Sequence, residues 1–286
     1  MTEAPGAVVV NYNAGSHLVA CIRSLRAEGV ERIVVADNAS TDGSLEAAVA
    51  SDPDIEVVHT GSNLGFGSAA NRGAARLDGD VLIMNPDAVV EPGAVKALAA
   101  VLEHDPVVGI VGPRIENPDG SLYPSPRTFP ALGDAVGHAF VGLVAPRNRY
   151  TRRYRMLDWD HANAARAEWV SGSCMLVRHA CFDAIGGFDE RYFMYLEDVD
   201  LCWRAHRAGW AVAYEPAARV VHVQGVSTDL NPYRMIAAHH RSLFQFWWGT
   251  TAPPRRTLLA PLVAAGLAVR TGLAALQRLL DGVRRR

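Results

Sequence analysis

The chain has only four cysteines in 286 residues, no broad excess of basic side chains, no internal repeat and no uninterrupted apolar run of membrane-spanning length. Each absence excludes something. Cys21, Cys174, Cys181 and Cys202 show no CxxC spacing and sit in apolar or helical segments. They read as buried free thiols in a reducing compartment rather than a zinc site or a disulfide frame. A formal net charge of −2 leaves no surplus to neutralise a phosphate backbone, so nucleic acid is not an expected partner. The opening residues, MTEAPGAVVVNYN, lack a basic stretch followed by an apolar one. A secretory signal is therefore not expected, and the working site should face the cytoplasm.

What is present is patterned. Through the first 112 residues, short apolar runs at Ala7–Val10, Arg32–Ala36, Ile55–Val58, Val81–Met84 and Val107–Val111 alternate with helically spaced stretches such as Leu18–Ala27 and Ala94–Glu103. That alternation predicts an α/β fold, a mostly parallel central sheet flanked by helices. Ligands in such sheets bind beyond the carboxyl ends of the strands, which directs attention to Asn11–Ser16, Asp37–Ser44, Thr60–Gly67 and Asn85–Asp87. From Pro113 to about Arg166 repeated prolines dissolve the pattern into an irregular excursion. Order returns at Glu168–Arg178, with a helix expected from Glu197 to Ala208 and a strand near Arg219–Val223.

The C-terminal stretch differs. Phe244, Phe246, Trp247 and Trp248 precede Pro253-Pro254-Arg255-Arg256, and Thr257–Leu280 is rich in Leu, Ala and Val. Its uninterrupted apolar run, Leu258–Val269, is short against a bilayer core of roughly 30 Å. An interfacial amphipathic helix on a membrane surface is expected; the alternative is a terminal helix packed on the domain or on a second subunit, as in a homodimer. Arginines cluster at Arg147, Arg149, Arg152, Arg153 and Arg155 and again at Arg284–Arg286, as suits a solvated face, an anionic membrane or a diphosphate.

Several motifs can carry chemistry, and each has a plain structural reading beside it. Gly65-Phe66-Gly67-Ser68-Ala69-Ala70 fits G-x-G-x-x-A with Asp87 about twenty residues on, as a dinucleotide fingerprint would. It follows the wrong strand, however, and a tight loop or close helix contact explains it better. Asp37 ends the second strand, where a carboxylate can accept from a pyrimidine imide or ribose hydroxyls, or simply make a turn. Tyr12 can stack on a base or pack at its strand end, and Asp42 or Ser44 can cap the next helix. Asn85-Pro86-Asp87 is good turn chemistry, yet a carboxylate there can hold Mg²⁺ or Mn²⁺ against a diphosphate. Glu197-Asp198-Val199-Asp200 opens a helix, where the macrodipole favours acids. The aromatics Tyr192, Phe193 and Tyr195 before it suit sugar binding and a partly desolvated base. His222 among valines reads alone as a core histidine.

Taken in order, these stretches resemble the GT-A glycosyltransferases of family 2, and within them the rhamnosyltransferase-like branch. The resemblance runs from Val8 to about Ser227 through Val8–Asn13, Asp37–Ser44, Asn63–Gly67, Asn71-Arg72-Gly73, Asn85–Asp87, Gly172–Arg178, Gly186–Glu190, Tyr195–Leu201 and His222. It implies an inverting, metal-dependent transfer from a nucleotide-diphosphate sugar. Tyr12 and Asp37 would hold the nucleoside, with Arg72 near base or phosphate and Asn13, Asn63 and Asn85 also on the donor. Asn85-Pro86-Asp87 takes the place of the family's D-x-D motif; its first acid is missing, which leaves Asp87 as the main carboxylate for Mg²⁺ or Mn²⁺. His222 matches the histidine that completes the metal site, and Asp198 matches the base. Glu197 would orient the acceptor or be the base itself.

The branch implies dTDP-L-rhamnose as donor and a polyprenyl-diphosphate-linked sugar such as N-acetylglucosaminyl-diphospho-polyprenol as acceptor, whose diphosphate could meet Arg147–Arg155. It also implies a role in cell-wall linker synthesis by an enzyme peripherally bound to the inner face of the membrane. Residues 1–232 would form the catalytic domain: 1–112 for the nucleotide sugar, 113–167 irregular, 168–232 for acceptor and catalysis. Residues 233–286 would be a helical membrane-associating appendage. Rival readings are the same fold with a galactofuranosyl or mannosyl donor, an NAD-dependent oxidoreductase built on Gly65–Ala70, and a non-catalytic membrane-associated module.

Overall fold

The computed structural model describes residues 4–129, 145, 148–154, 156, 158–226 and 231–284. The first half follows its sequence pattern closely. Strands β1 (Gly6–Asn11), β2 (Ile33–Asp37), β3 (Glu56–His59) and β4 (Val81–Met84) alternate with helices α1 (His17–Ala27), α2 (Ser44–Ser51) and α3 (Phe66–Ala74). They lie in the order β3-β2-β1-β4, all parallel. The reason is visible in β1. Ala7 and Val9 point into one core with Leu18, Ile22 and Leu25 of α1, while Val8 and Val10 point into another with Ala69, Ala70 and Ala74 of α3. A strand apolar on both faces needs a helix on each side, and alternate side chains supply the two contacts.

Beyond β4 the sheet becomes mixed, which corrects the expectation of a mostly parallel sheet. The further elements are β5 (Ala88–Val90), α4 (Ala94–His104), β6 (Val108–Glu116), β7 (Leu122–Tyr123), α5 (Arg149–Tyr154), β8 (Ala165–Ala167), β9 (Cys174–Val177), α6 (His179–Ile185), α7 (Glu197–Arg207) and β10 (Ala211–His222). β9 inserts antiparallel between β4 and β6, and β10 runs parallel to β6 but antiparallel to β5 and β8. All four residues of β9 are buried, so its unbroken apolar run looks like that of a parallel strand. Such a run reports burial and not direction. All four cysteines are buried and free.

The last two helices are α8 (Pro232–Thr250) and α9 (Pro253–Arg284). The expected domain break at 232/233 falls on the first turn of α8, and α8 belongs to the catalytic body. Phe246 lies in the second core beside Trp203 and Phe129, and Ser242 Oγ donates to the Met194 carbonyl at 2.9 Å. The aromatic run at Phe244–Trp248 divides its work: Phe246 is buried while Trp248 is exposed. The appendage proper is α9. It folds back along α8, bringing Arg270 close enough to His240 to help burial lower that imidazole's pKa. Its outward face carries Leu258, Leu262, Val269, Leu276 and Leu280, with Leu258 79 % exposed. Pro253–Leu280 is long and apolar enough to cross a membrane by length and composition. Counting only Leu258–Val269 therefore understated the helix, because Arg270 breaks the run without ending it.

Candidate functional site

One cleft of about 570 Å³ opens at the carboxyl ends of β1, β2 and β4, and residues from many separate stretches of the chain meet there. Asn85-Pro86-Asp87 leaves β4 and hands the chain to β5 at the far edge of the sheet. β5 pairs with the end of β10 so that Ala88 faces His222, and the Val223 N–H donates to the Asp87 carbonyl at 3.1 Å. That pairing sets His222 Nε2 3.1 Å from Asp87 Oδ1 and 3.2 Å from Asn85 Nδ2. Asp87 and His222 are both buried, and His222 Nδ1 has no hydrogen-bond partner.

A carboxylate oxygen and an imidazole nitrogen turned toward one point suit a divalent cation. No cluster of three or more acidic, histidine or cysteine side chains able to hold a metal occurs among the described residues. Asp87 and His222 thus fit an ion that keeps several waters and takes its other oxygens from a diphosphate, as Mg²⁺ or Mn²⁺ does.

Elsewhere in the lining, Tyr195 and Leu196 both take positive φ, 66° and 65°, a backbone form costing about 1–3 kcal/mol per residue outside glycine. This double turn starts α7 with Glu197 and Asp198 lining the cleft. Asp198 Oδ2 accepts from the Gly172 N–H at 2.9 Å, and its Oδ1 accepts from the Val199 N–H at 2.9 Å. A Cβ on Gly172 would stand 3.0 Å from Asp198 Cβ, so the glycine permits this approach. Burial pushes the Asp198 carboxyl up, while the two N–H donors and the nearby Arg127 charge hold it down. Glu197 has less support: its own N–H lowers it, but its Oε2 is buried without a partner. Burial first, and then the Asp198 charge, push it well above the ordinary glutamate value of 4.5. Of the two neighbours, Asp198 is the one built to ionise.

That asymmetry has a consequence for stability. The neutral Glu197 side chain costs nothing below about pH 4.5, where both folded and unfolded chains hold the proton. As pH rises through its higher folded value, the unfolded chain ionises more readily and this contribution to stability is lost. Glu197→Gln, which imitates the protonated acid, is expected to flatten the fall in Tm as pH rises above the ordinary glutamate value of 4.5. Equal slopes for wild type and variant would contradict a neutral Glu197.

The residues expected to hold the nucleoside form a network among themselves. Asn11 Nδ2 donates to Asp37 Oδ1 at 2.9 Å and lies 3.0 Å from both Ser40 Oγ and Ser44 Oγ, while Asp37 Oδ2 accepts from the Ser40 N–H. Asp37 is only 3 % exposed; it braces the 38–44 loop, and its neighbour Asn38 lines the cleft with Tyr12. Asn13, at φ 50°, accepts from the Thr41 N–H and locks the same loop. Asp42 accepts from the Gly15 N–H and from the Ser44 N–H that opens α2, while the N-cap position itself is Gly43. Asn63 accepts from the Gly65 N–H in a local turn, and exposed Arg72 donates to the Thr60 carbonyl; neither side chain lines the cleft.

The glycines of the false fingerprint are packing devices. Gly65 has φ 90°, and a Cβ there would lie 2.0 Å from the Phe193 carbonyl oxygen. The Phe66 N–H donates to that same oxygen at 3.1 Å. Protein backbone fills the space a dinucleotide's pyrophosphate would need.

Sequence reasoning missed Arg127, Trp169, Arg234 and His239, which also line the cleft. Arg127 comes from the proline-rich excursion and is held between the rings of Tyr123 and Trp169, 5.2 and 5.0 Å from their centroids. No periodicity marked it. Arg234 and His239 come from α8, beyond the boundary expected at residue 232. Of the arginine cluster, Arg152 pairs with Asp158, and Arg147 and Arg155 lie outside the described residues.

A parallel nucleotide-binding half, an Asn-Pro-Asp turn against a histidine, and an acid pair opening a helix across the same cleft define a GT-A-type sugar-nucleotide transferase. Residues 7–172 match the family model described as glycosyl transferase family 2, and the chain belongs to that family: it is a glycosyltransferase. It is 41 % identical to N-acetylglucosaminyl-diphospho-decaprenol L-rhamnosyltransferase of Mycobacterium tuberculosis (strain ATCC 25618 / H37Rv), across 96 % of this chain and 95 % of that protein. Among solved structures it is similar to the mannosyltransferase PcManGT from Pyrobaculum calidifontis in complex with GDP-Man and Mn²⁺. That likeness has a TM-score of 0.59 and 17 % identity, covering 99 % of this chain and 80 % of the other. GalNAc-T7 with UDP, GalNAc and Mn²⁺ follows at a TM-score of 0.58 and 15 % identity, covering 77 % and 44 %. At those identities the two structures speak for the fold.

Proposed function

We propose that the protein transfers L-rhamnose from dTDP-L-rhamnose to N-acetylglucosamine carried on a polyprenyl diphosphate, with inversion at the anomeric carbon. The observation that carries the reaction class is the cleft itself, which brings the Asp87–His222 pair and Asp198 together in one lining. The choice of sugar and acceptor rests on the near full-length similarity to the mycobacterial rhamnosyltransferase. Mg²⁺ or Mn²⁺, bound by Asp87 and His222, would supply positive charge for the departing nucleoside diphosphate.

The chain's own residues do the rest. Asp37 and Asn13 brace the loop from which Asn38 meets the nucleoside, and Tyr12 offers a ring to the base. Asp198, ionised and fixed by two N–H donors, takes the proton of the acceptor hydroxyl as that oxygen bonds to the anomeric carbon. The bond from that carbon to the diphosphate oxygen breaks in the same displacement, and the configuration inverts. Neutral Glu197 lies beside it as a hydrogen-bond donor that can orient the acceptor. The enzyme works at the cytoplasmic face of the membrane, where the apolar outward face of α9 lies in the interface with Trp248 and Arg256 at its edge.

The test is a panel of nucleotide sugars with a short-chain polyprenyl-diphosphate N-acetylglucosamine, run with Mg²⁺, with Mn²⁺ and with chelator. Transfer from dTDP-L-rhamnose, lost on chelation, is expected. Transfer only from a mannosyl or galactofuranosyl donor would overturn the donor and keep the reaction class.

A further inference from the structure

We propose that Arg234 and His239, on the cleft-facing side of α8, bind the diphosphate of the lipid-linked acceptor; the inference rests on the function proposed above. Two diphosphates must enter one cleft whose walls already hold Asp87, Glu197 and Asp198. Among the described lining residues, the permanent cations are Arg127 and Arg234. Arg127 is committed: its Nε donates to the Pro124 carbonyl at 2.9 Å, two rings clasp its guanidinium, and its charge acts on Asp198.

Arg234 is placed differently. It is exposed, its guanidinium carbon lies 4.7 Å from the Phe193 ring centroid, and it makes no salt bridge among the described residues. A guanidinium resting on a ring keeps its N–H fork outward, the geometry that takes two phosphate oxygens at once. His239 stands farther along the same helix, edge-on to Tyr195 at 5.3 Å, and lines the same cleft.

The course of the chain decides between the two diphosphates. The donor's belongs at Asp87 and His222, where a divalent ion can meet it. α8 leads from Arg234, past His239, to exposed Trp248 and then into α9 with its outward row of leucines. A soluble nucleotide has no use for that apolar continuation, whereas a polyprenyl chain attached to a diphosphate does. The headgroup would rest on Arg234 and His239 with its sugar toward Asp198, and the tail would follow α8 toward the bilayer.

The experiment compares two acceptors carrying the same sugar: N-acetylglucosaminyl-diphospho-farnesol, and an alkyl N-acetylglucosaminide of similar length without phosphate. Each is used with wild type, Arg234→Gln, Arg234→Lys and His239→Gln. Wild type is expected to favour the diphosphate acceptor. Arg234→Gln should raise KM for that acceptor by roughly 10- to 100-fold, the worth of a charge-assisted hydrogen bond, with KM for dTDP-L-rhamnose unchanged and the phosphate-free acceptor unaffected. Arg234→Lys should recover part of the loss, and His239→Gln should show a smaller one.

A rise in donor KM with acceptor preference intact would overturn the assignment in favour of the donor's diphosphate. So would an Arg234→Gln enzyme that behaves as wild type toward both acceptors. A wild type that transfers to neither acceptor would bring down the proposed function itself, and this inference with it.

Discussion

Asp198→Asn is expected to lower kcat by about 10²- to 10⁴-fold, the usual worth of a positioned general base, while KM for the nucleotide sugar changes little. Asparagine keeps the size of the side chain and one acceptor oxygen for the Gly172 or Val199 N–H. What it loses is the ability to take a proton. The pH profile separates this loss from a disturbance of shape. Burial raises the Asp198 carboxyl, so wild-type activity should fall as pH drops through that raised value and the base becomes protonated. The residual activity of Asp198→Asn should lack that acid limb. Intact turnover in the variant would remove Asp198 from the mechanism and leave Glu197 as the candidate. Burial and the neighbouring charge make Glu197 the worse base at neutral pH.

Removing Asp87 should be comparably damaging. With a single carboxylate and a single imidazole in the proposed metal site, Asp87→Ala leaves only His222 among the described residues. Lewis-acid stabilisation of a departing phosphate is worth several kcal/mol, so a loss of about 10²-fold or more in kcat is expected at one factor of ten per 1.36 kcal/mol. His222→Ala should fall less, because the formal charge stays. Mn²⁺ at a concentration saturating for wild type should not rescue Asp87→Ala. With so few protein ligands, calorimetry should find weak Mn²⁺ binding alone and much tighter binding in the presence of dTDP. Tight binding without nucleotide would mean that further ligands complete the site.

The parts of the molecule legible in its sequence are those governed by local pattern. β1 to β4 and their helices follow from apolar runs and their spacing, and the cleft follows from where those strands end. Direction and pairing were not legible. β9 has the run of a parallel strand because both of its faces are buried, yet it lies antiparallel to both neighbours. His222 lies against Asp87 only because β5 pairs with the end of β10, 135 residues on in sequence. No window of sequence contains that contact, and the histidine was reached through a family resemblance. Arg127 and Arg234 were invisible for the same reason, one in an irregular stretch and one on a helix whose aromatic neighbours suggested a membrane. Arg72 and Asn63 show the converse: both sit in matched motifs, yet neither side chain reaches the cleft.

The most direct measurement is the anomeric configuration of the transferred sugar, read by NMR on the product of a single transfer from dTDP-L-rhamnose. A base at Asp198 acting in one displacement requires the configuration opposite to that in the donor. A product of retained configuration would contradict the single displacement, and with it the role given to Asp198.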